Sequence, residues 1–322
     1  MDDGRPIRPG RRRRARRRAE PSRPGSRSVT SGRSGGRGTV RNGAPVQVVT
    51  EVAGSLPVSP VPVLCDLDGV VWLAHRPIAG SAEAIAALRA RGHRVLFVTN
   101  NSSATVADQE RALSAVGVPA VGDVVTSALA GARLVEAGER ILVCGGPGVE
   151  EAIGARGAIS IPHDVADSSP IDAVMVGFHR HFDYEIMRRA AGAVRRGARL
   201  IATNDDATYP TPDGPIPGGG SIVAAIATAA GVDPVIAGKP NIAMAMVVRD
   251  ILGGLPADAV MVGDRPSTDG LFARTLGCRY ALVRSGVTPV GAARTDFDAD
   301  GLEVHLDVTD LAAVARWLIE SS

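Results

Sequence analysis

Aromatic residues make up only 3% of this 322-residue chain, so Ala, Val, Leu and Ile must build the core that its 45% hydrophobic content supports. Three cysteines, Cys65, Cys144 and Cys278, lie far apart and in no CxxC or zinc spacing. That excludes a disulfide framework and a cysteine zinc site, and it suits a reducing cytoplasm. The six histidines show no metal-motif spacing either, and His179 and His181, which bracket Arg180, read as a polar loop. No apolar run is long enough to span a membrane, and no signal peptide is visible. The scarcest residue is lysine: of 36 basic residues one is a lysine, Lys239, and the rest are arginine. Where composition favours Arg at every other basic position, one lysine calls for a specific reason.

The net charge of +2 conceals a division. Residues 1–57 hold fourteen arginines against four acids, a balance of +10, and the remainder carries 22 basic and 30 acidic residues, or −8. An acidic body argues against a nucleic-acid-binding surface on it. The first 57 residues, rich in Arg, Gly, Ser and Pro and without periodicity, read as disordered. Their run from Arg11 to Arg18 can hold RNA, DNA or anionic lipid by charge alone. A solvated tail, or an upstream segment included through a misplaced start codon, explains the same composition.

The chemistry concentrates in Val61-Pro62-Val63-Leu64-Cys65-Asp66-Leu67-Asp68-Gly69. The apolar run reads as a strand buried on both faces of a parallel sheet. Asp66 and Asp68 fall at its C-terminal edge, where open α/β sheets place ligands, and Gly69 allows a sharp turn. Two acids this close repel unless a cation lies between them, and hard oxygen ligands suit Mg²⁺. Alone, DxDG is also what a strand followed by an acidic turn looks like.

Further strands end in similar signals. Arg94 to Val98 runs into Thr99-Asn100-Asn101-Ser102, an anion cradle or a helix-capping loop. Ala259 to Val262 runs into Gly263-Asp264-Arg265-Pro266-Ser267-Thr268-Asp269, again presenting carboxylates. Between them Ala237-Gly238-Lys239-Pro240 precedes a helix over 242–252. Ser81 is expected to cap a helix, and Val70 to Pro77 to form a flap carrying Trp72. Gly145-Gly146-Pro147-Gly148 reads as a turn, because it lacks phosphate-loop spacing. The loop 204–220, with Asp205, Asp206, Thr208 and Tyr209, is long enough to contact substrate. Alternating strands and helices predict a doubly wound α/β fold.

The four signals DLDG, TNNS, GKP and GDRPSTD, in this order, resemble the haloacid dehalogenase superfamily, specifically its NagD/nitrophenylphosphatase-like branch. Ala202 to Gly214 is similar to that branch's cap loop. The resemblance, over about residues 60–290, implies a Rossmann-like parallel-sheet core over 58–139 and 234–322 with an inserted α/β cap at 140–233. It departs at Pro266-Ser267, where the family usually has a Leu-acid pair, and at Gly270, where Ile is common.

By residue, the resemblance makes Asp66 the nucleophile and Asp68 the acid and base. Mg²⁺ would be held by Asp66, the Asp68 backbone carbonyl and Asp264, with Asp269 close by. Thr99, Asn100, Asn101 and Lys239 would bind phosphoryl oxygens, with Tyr209 on the substrate side. A dehalogenase needs neither the second acid nor Mg²⁺, so Asp68, Asp264 and Asp269 favour phosphate chemistry. The resemblance thus implies a cytoplasmic Mg²⁺-dependent phosphatase acting on a small phosphorylated metabolite: a glycerol phosphate, sugar phosphate or nucleoside monophosphate. It leaves open a homodimer through the cap. The rival is a nucleic-acid-binding or regulatory protein that works through the arginine-rich tail with a vestigial phosphatase body.

Overall fold

The computed structural model describes residues 59–320 apart from 74, 165–168, 212, 289 and 292–300. The expectations for residues 1–57 therefore lie outside the described residues. The chain begins with β1 (Val63–Cys65), a hairpin of β2 (Trp72–Leu73) and β3 (Arg76–Pro77), and α1 (Ser81–Ala90). Then come β4 (Val95–Thr99), α2 (Val106–Ala115), β5 (Val124–Thr126) and α3 (Ser127–Ala132). The middle stretch holds β6 (Arg140–Cys144), α4 (Pro147–Ala155), β7 (Ile159–Pro162), β8 (Ala173–Val176), α5 (Tyr184–Arg195) and β9 (Arg199–Ala202). It continues through β10 (Thr208–Tyr209), β11 (Ile216–Pro217), α6 (Gly219–Ala230) and β12 (Val235–Ile236). The last stretch is α7 (Ile242–Leu252), β13 (Val260–Gly263), α8 (Leu271–Leu276), β14 (Arg279–Val283), β15 (Leu306–Val308) and α9 (Leu311–Glu320).

Two parallel sheets result, as the alternating pattern requires. The larger has the order β15-β14-β13-β1-β4-β5, and the smaller, from the middle stretch, β12-β9-β8-β6-β7. In the larger sheet the chain leaves β1 on one side toward β4 and β5 and returns on the other through β13. That reversal opens a crevice at the C-terminal end of β1.

Side-chain alternation explains why these strands read as unbroken apolar runs. Val63, Cys65, Val95, Phe97 and Val262 enter a cluster with residues of α1 and α9. Leu64, Leu96, Val98 and Met261 enter another with residues of α7 and α8. With helices on both faces these central strands stay apolar up to the end that meets the site, where β4 closes on the buried Thr99. The smaller sheet is covered in the same way by α5 and α6 on one face and by α3 and α4 on the other. Helix α3 serves both sheets, placing Ala130 against the larger and Ala128 and Ala132 against the smaller.

Three local expectations are corrected. Gly145 to Gly148 is no free turn: Pro147 opens α4, and Pro suits the first helical position because its missing N–H has no partner there. Ser81 does not cap α1 but is its first residue, behind Gly80 at φ 83°, and its hydroxyl donates to the Val70 carbonyl at 3.0 Å. The loop 204–220 carries the antiparallel pair β10 and β11 and the start of α6. Among the described residues no helix is long and apolar enough to cross a membrane.

Candidate active site

Three strand ends of the larger sheet meet around one ammonium group. Lys239 lies just before α7, with 2% of its side chain exposed. Its Nζ donates to Asp66 Oδ1 at 2.7 Å, Asp269 Oδ1 at 2.8 Å and the Val98 carbonyl at 2.9 Å. Those acceptors come from the ends of β1 and β4 and from the turn after β13. Burial alone would favour the neutral amine, but the carboxylates of Asp269 and Asp66 outweigh it and hold Lys239 above its ordinary range. For Asp66 burial is the larger effect and pushes its carboxyl well up, Lys239 opposing and Asp269 and Asp264 adding to it.

Asp264, at the end of β13, is buried, and its Oδ2 accepts from the Val287 N–H at 2.6 Å. Burial and the charge of Asp269 push its carboxyl up to about 7. Asp269 sits in a π-helical turn over Pro266–Gly270, where its Oδ2 accepts from the Arg265 N–H at 3.1 Å. The departures at Pro266, Ser267 and Gly270 therefore leave both acids buried in the site. The space a side chain at 270 would need is filled by Leu302 and Tyr280.

Carboxylate oxygens of Asp66, Asp264 and Asp269 lie within 4.8 Å of one another. Three hard oxygen donors, two of them buried and Asp66 partly so, fit a divalent cation, which would favour the ionised forms of Asp66 and Asp264. The Asp68 carboxylate is outside this trio. Its residue lies beyond Gly69's left-handed turn (φ 88°) from the hairpin β2–β3, where the Gly69 N–H donates to the Trp72 carbonyl at 2.7 Å.

Asn100 joins the motifs at the end of β4 to the lysine. Its Oδ1 accepts from the Lys239 N–H at 2.8 Å, and its Nδ2 donates to the Lys239 carbonyl at 3.1 Å and to Asp206 Oδ2 at 3.0 Å. The Thr99 hydroxyl accepts from the Asn101 N–H at 3.0 Å, and Asn101 Oδ1 accepts from the Ser103 N–H at 2.9 Å. This loop does not cap α2, since Thr105 does so by accepting from the Asp108 N–H. Tyr209 stacks on Phe178 with ring centroids 5.6 Å apart.

Asp66, Asp68, Thr99, Asn100, Asn101, Tyr209, Lys239, Asp264 and Asp269 all line one cavity of about 720 Å³ that opens to solvent. The sequence reading missed Arg265, whose Nη1 meets Asp206 Oδ1 at 2.8 Å, and Phe178. It also missed the segment Ser285–Val287, where Ser285 Oγ donates to the Gly69 carbonyl at 2.6 Å. Only Arg265 had a usable signal, being the residue next to a strand-end acid.

Comparison with known proteins agrees with this geometry. A profile of haloacid dehalogenase-like hydrolases matches residues 63–158, and a second HAD-hydrolase-like profile matches 236–311. D-glycerol 3-phosphate phosphatase of Mycobacterium tuberculosis is 36% identical over 230 residues, which is 70% of this chain but 63% of that relative, less than two thirds of its length. An acid sugar phosphatase of Staphylococcus saprophyticus is 34% identical over 70% of this chain and 86% of the relative. The solved glycerol phosphate phosphatase of M. tuberculosis in complex with magnesium superposes with a TM-score of 0.71 at 31% identity, covering 80% of this chain and 76% of that one. A first profile match that runs from β1 through α4, a second that begins in β12, and relatives aligned along most of the folded body leave one assignment: the chain belongs to the haloacid dehalogenase-like hydrolases, in the branch that holds these phosphatases.

Proposed function

We propose that this chain is a cytoplasmic Mg²⁺-dependent phosphatase that hydrolyses a small phosphomonoester, of the glycerol phosphate, sugar phosphate or nucleoside monophosphate class, through an aspartyl phosphate on Asp66. The observation that carries the reading is the buried Lys239–Asp66–Asp269 bridge beside Asp264, in a cavity that Asp68 also lines. Lys239 fixes the direction of the Asp66 carboxylate through Oδ1, so its charge is oriented before substrate arrives. The Asp66 carboxylate attacks phosphorus and the ester P–O bond breaks, while Asp68 gives its proton to the leaving oxygen. Asp68 then takes a proton from water as that water attacks the aspartyl phosphate, releasing inorganic phosphate and restoring Asp66. Mg²⁺ bound by Asp66, Asp264 and the Asp68 carbonyl, with Asp269 beside it, would offset the repulsion between an anionic nucleophile and an anionic phosphate.

Thr99, Asn100 and Asn101 are assigned to the phosphoryl oxygens and Tyr209 to the leaving group. Residues 140–233 act as the cap over the site, and any homodimer would form through this part. All three N–H groups of Lys239 are engaged by the protein, so its contact with phosphate requires an exchange of partners. Free Cys65, Cys144 and Cys278 suit a reducing compartment. The nucleic-acid reading is not favoured, because a vestigial body has no need to keep the acids and the lysine together.

The test is phosphate release from p-nitrophenyl phosphate and a phosphomonoester panel by the full chain. Chelation should silence it, with Mg²⁺ restoring turnover and the larger Ca²⁺ doing so poorly. Asp66→Asn should abolish turnover, and near-wild-type rates in that variant would remove Asp66 as nucleophile.

A further inference from the structure

The cavity of the candidate site does not end at Tyr209. Tyr209, Phe178 and Asn101 also line a second, larger cavity of about 1410 Å³, so the stacked Phe178–Tyr209 pair is a wall shared by the two. The far side of that wall carries Arg180, and Asp213 and His75 also face this cavity. The Tyr209 hydroxyl is held above its ordinary value by burial and then by the Asp68 charge, with Arg180 acting in the opposite direction. Tyr209 therefore lies within electrostatic reach of both Asp68 and Arg180. With the phosphoryl group beside Asp66 and its leaving oxygen at Asp68, the body of the leaving group can run past Tyr209, the wall shared with the cavity that Arg180 lines.

Arg180 is equipped to receive something there. It is exposed, and none of the ion pairs among the described residues uses it. Asp213 lines the same cavity without an ion pair to it. On the other side of Arg180 a third cavity is lined by His163, His179 and His181, and it holds no acid. A planar guanidinium offers two parallel N–H donors, the geometry that a carboxylate or phosphate accepts bidentately.

Resting on the phosphatase reading above, we propose that Arg180 is a specificity-determining residue that selects phosphomonoesters whose leaving group ends in a second anionic group, a carboxylate or a second phosphate. A charge-assisted, partly exposed contact of this kind corresponds to roughly five- to tenfold in preference.

The test compares two substrates that differ only at the distal end, 3-phosphoglycerate with its carboxylate and glycerol 3-phosphate with a hydroxymethyl group. The wild-type full chain with Mg²⁺ should favour 3-phosphoglycerate in kcat/KM by about five- to tenfold. Arg180→Gln should bring the ratio near one, Arg180→Glu should invert it, and Arg180→Lys should restore part of it. A merely structural role would change both substrates alike and leave the ratio unmoved. The same ratio is read from calorimetric Kd values for the two compounds, which needs no turnover. Loss of p-nitrophenyl phosphate turnover in every protein would sink the phosphatase reading, and the calorimetric ratio would still decide this one. A wild type that prefers glycerol 3-phosphate, or a ratio unchanged in Arg180→Gln and Arg180→Glu, overturns the proposal.

Discussion

Replacing Lys239 by Met in the metal-free protein should destabilise the fold as well as the chemistry. The ammonium is 2% exposed and bonds carboxylates that are 14% and 1% exposed, those of Asp66 and Asp269. A methionine of similar length leaves those two acids facing each other with their shared cation removed. Deleting one partner of a buried ion pair costs about 3–5 kcal/mol, most of it the burial of the charge left behind. For a body of this size each kcal/mol moves the melting temperature by roughly 2–4 °C, so a drop of about 6–20 °C is expected in chelator. Mg²⁺ can take over the neutralisation, so the rise in Tm on adding it should be larger in Lys239→Met than in wild type. Scanning fluorimetry of both proteins with EDTA and with Mg²⁺ measures this directly. A variant that melts within about 2 °C of wild type in EDTA, well short of that drop, would refute the reasoning, because the bridge would then contribute little. Lys239→Arg keeps the charge but brings a broad planar group into a packed site. It should fold, yet lose at least about tenfold in kcat/KM, equivalent to roughly 1.4 kcal/mol of transition-state stabilisation.

Three further outcomes follow from the same geometry. The Asp264 carboxyl lies at about 7 in the fold against an ordinary 3.8, so the metal-free fold keeps a proton that the unfolded chain has released. The contribution of Asp264 to stability in chelator should therefore be full below 3.8 and fall as pH rises toward about 7; a Tm difference between wild type and Asp264→Asn that moves in favour of wild type through that window contradicts the assignment. The Asp206–Arg265 pair links the loop after β9 to the turn after β13, and its side chains are 21% and 28% exposed. Asp206→Asn and Arg265→Gln should each raise KM roughly threefold, with the double variant no worse than the poorer single, whereas additive effects would mean the two are uncoupled. A Cβ at Gly286 would overlap the Asp264 carboxylate, whereas one at Gly154 would meet no atom within 4 Å. Calorimetry should thus show Mg²⁺ binding weakened by Gly286→Ala, by at least about fivefold if the overlap costs roughly 1 kcal/mol, and unaffected by Gly154→Ala.

The central strands were readable because both faces of the larger sheet are covered, and burial on both faces turns a strand into an unbroken apolar run. What escaped notice was short or disguised. Strand β12 is two residues long, and Val235 is exposed, so no pattern marks it. Helix α4 begins on Gly146-Pro147-Gly148, a string that also signals a turn. The glycine has a tertiary reason, since a Cβ on Gly148 would strike the backbone carbonyls of Ser102 and Ala104. Local composition cannot separate a glycine that bends the chain from one that lets two segments touch.

The candidate site was readable one motif at a time, because its acids follow two buried strands, Asp66 and Asp68 after β1 and Asp264 and Asp269 after β13. The partners of those residues were not. Asn100 reads from the sequence as a phosphate ligand, and in the fold its amide also pairs with both backbone groups of Lys239, a role that follows only once β4 and the loop before α7 are adjacent. Gly286 carries no motif at all, and its importance arises from the position of Asp264. Lysine's rarity singled out Lys239, and the geometry supplies the physical cause. Its three acceptors converge from three different chain segments onto one nitrogen, at 2.7, 2.8 and 2.9 Å. An ammonium has three N–H donors on one tetrahedral atom and can meet all three acceptors at once. A guanidinium spreads five donors over a plane, so no single nitrogen of it can satisfy a three-point set. In a chain that otherwise uses arginine for every positive charge, this convergence of acceptors is what arginine cannot fit.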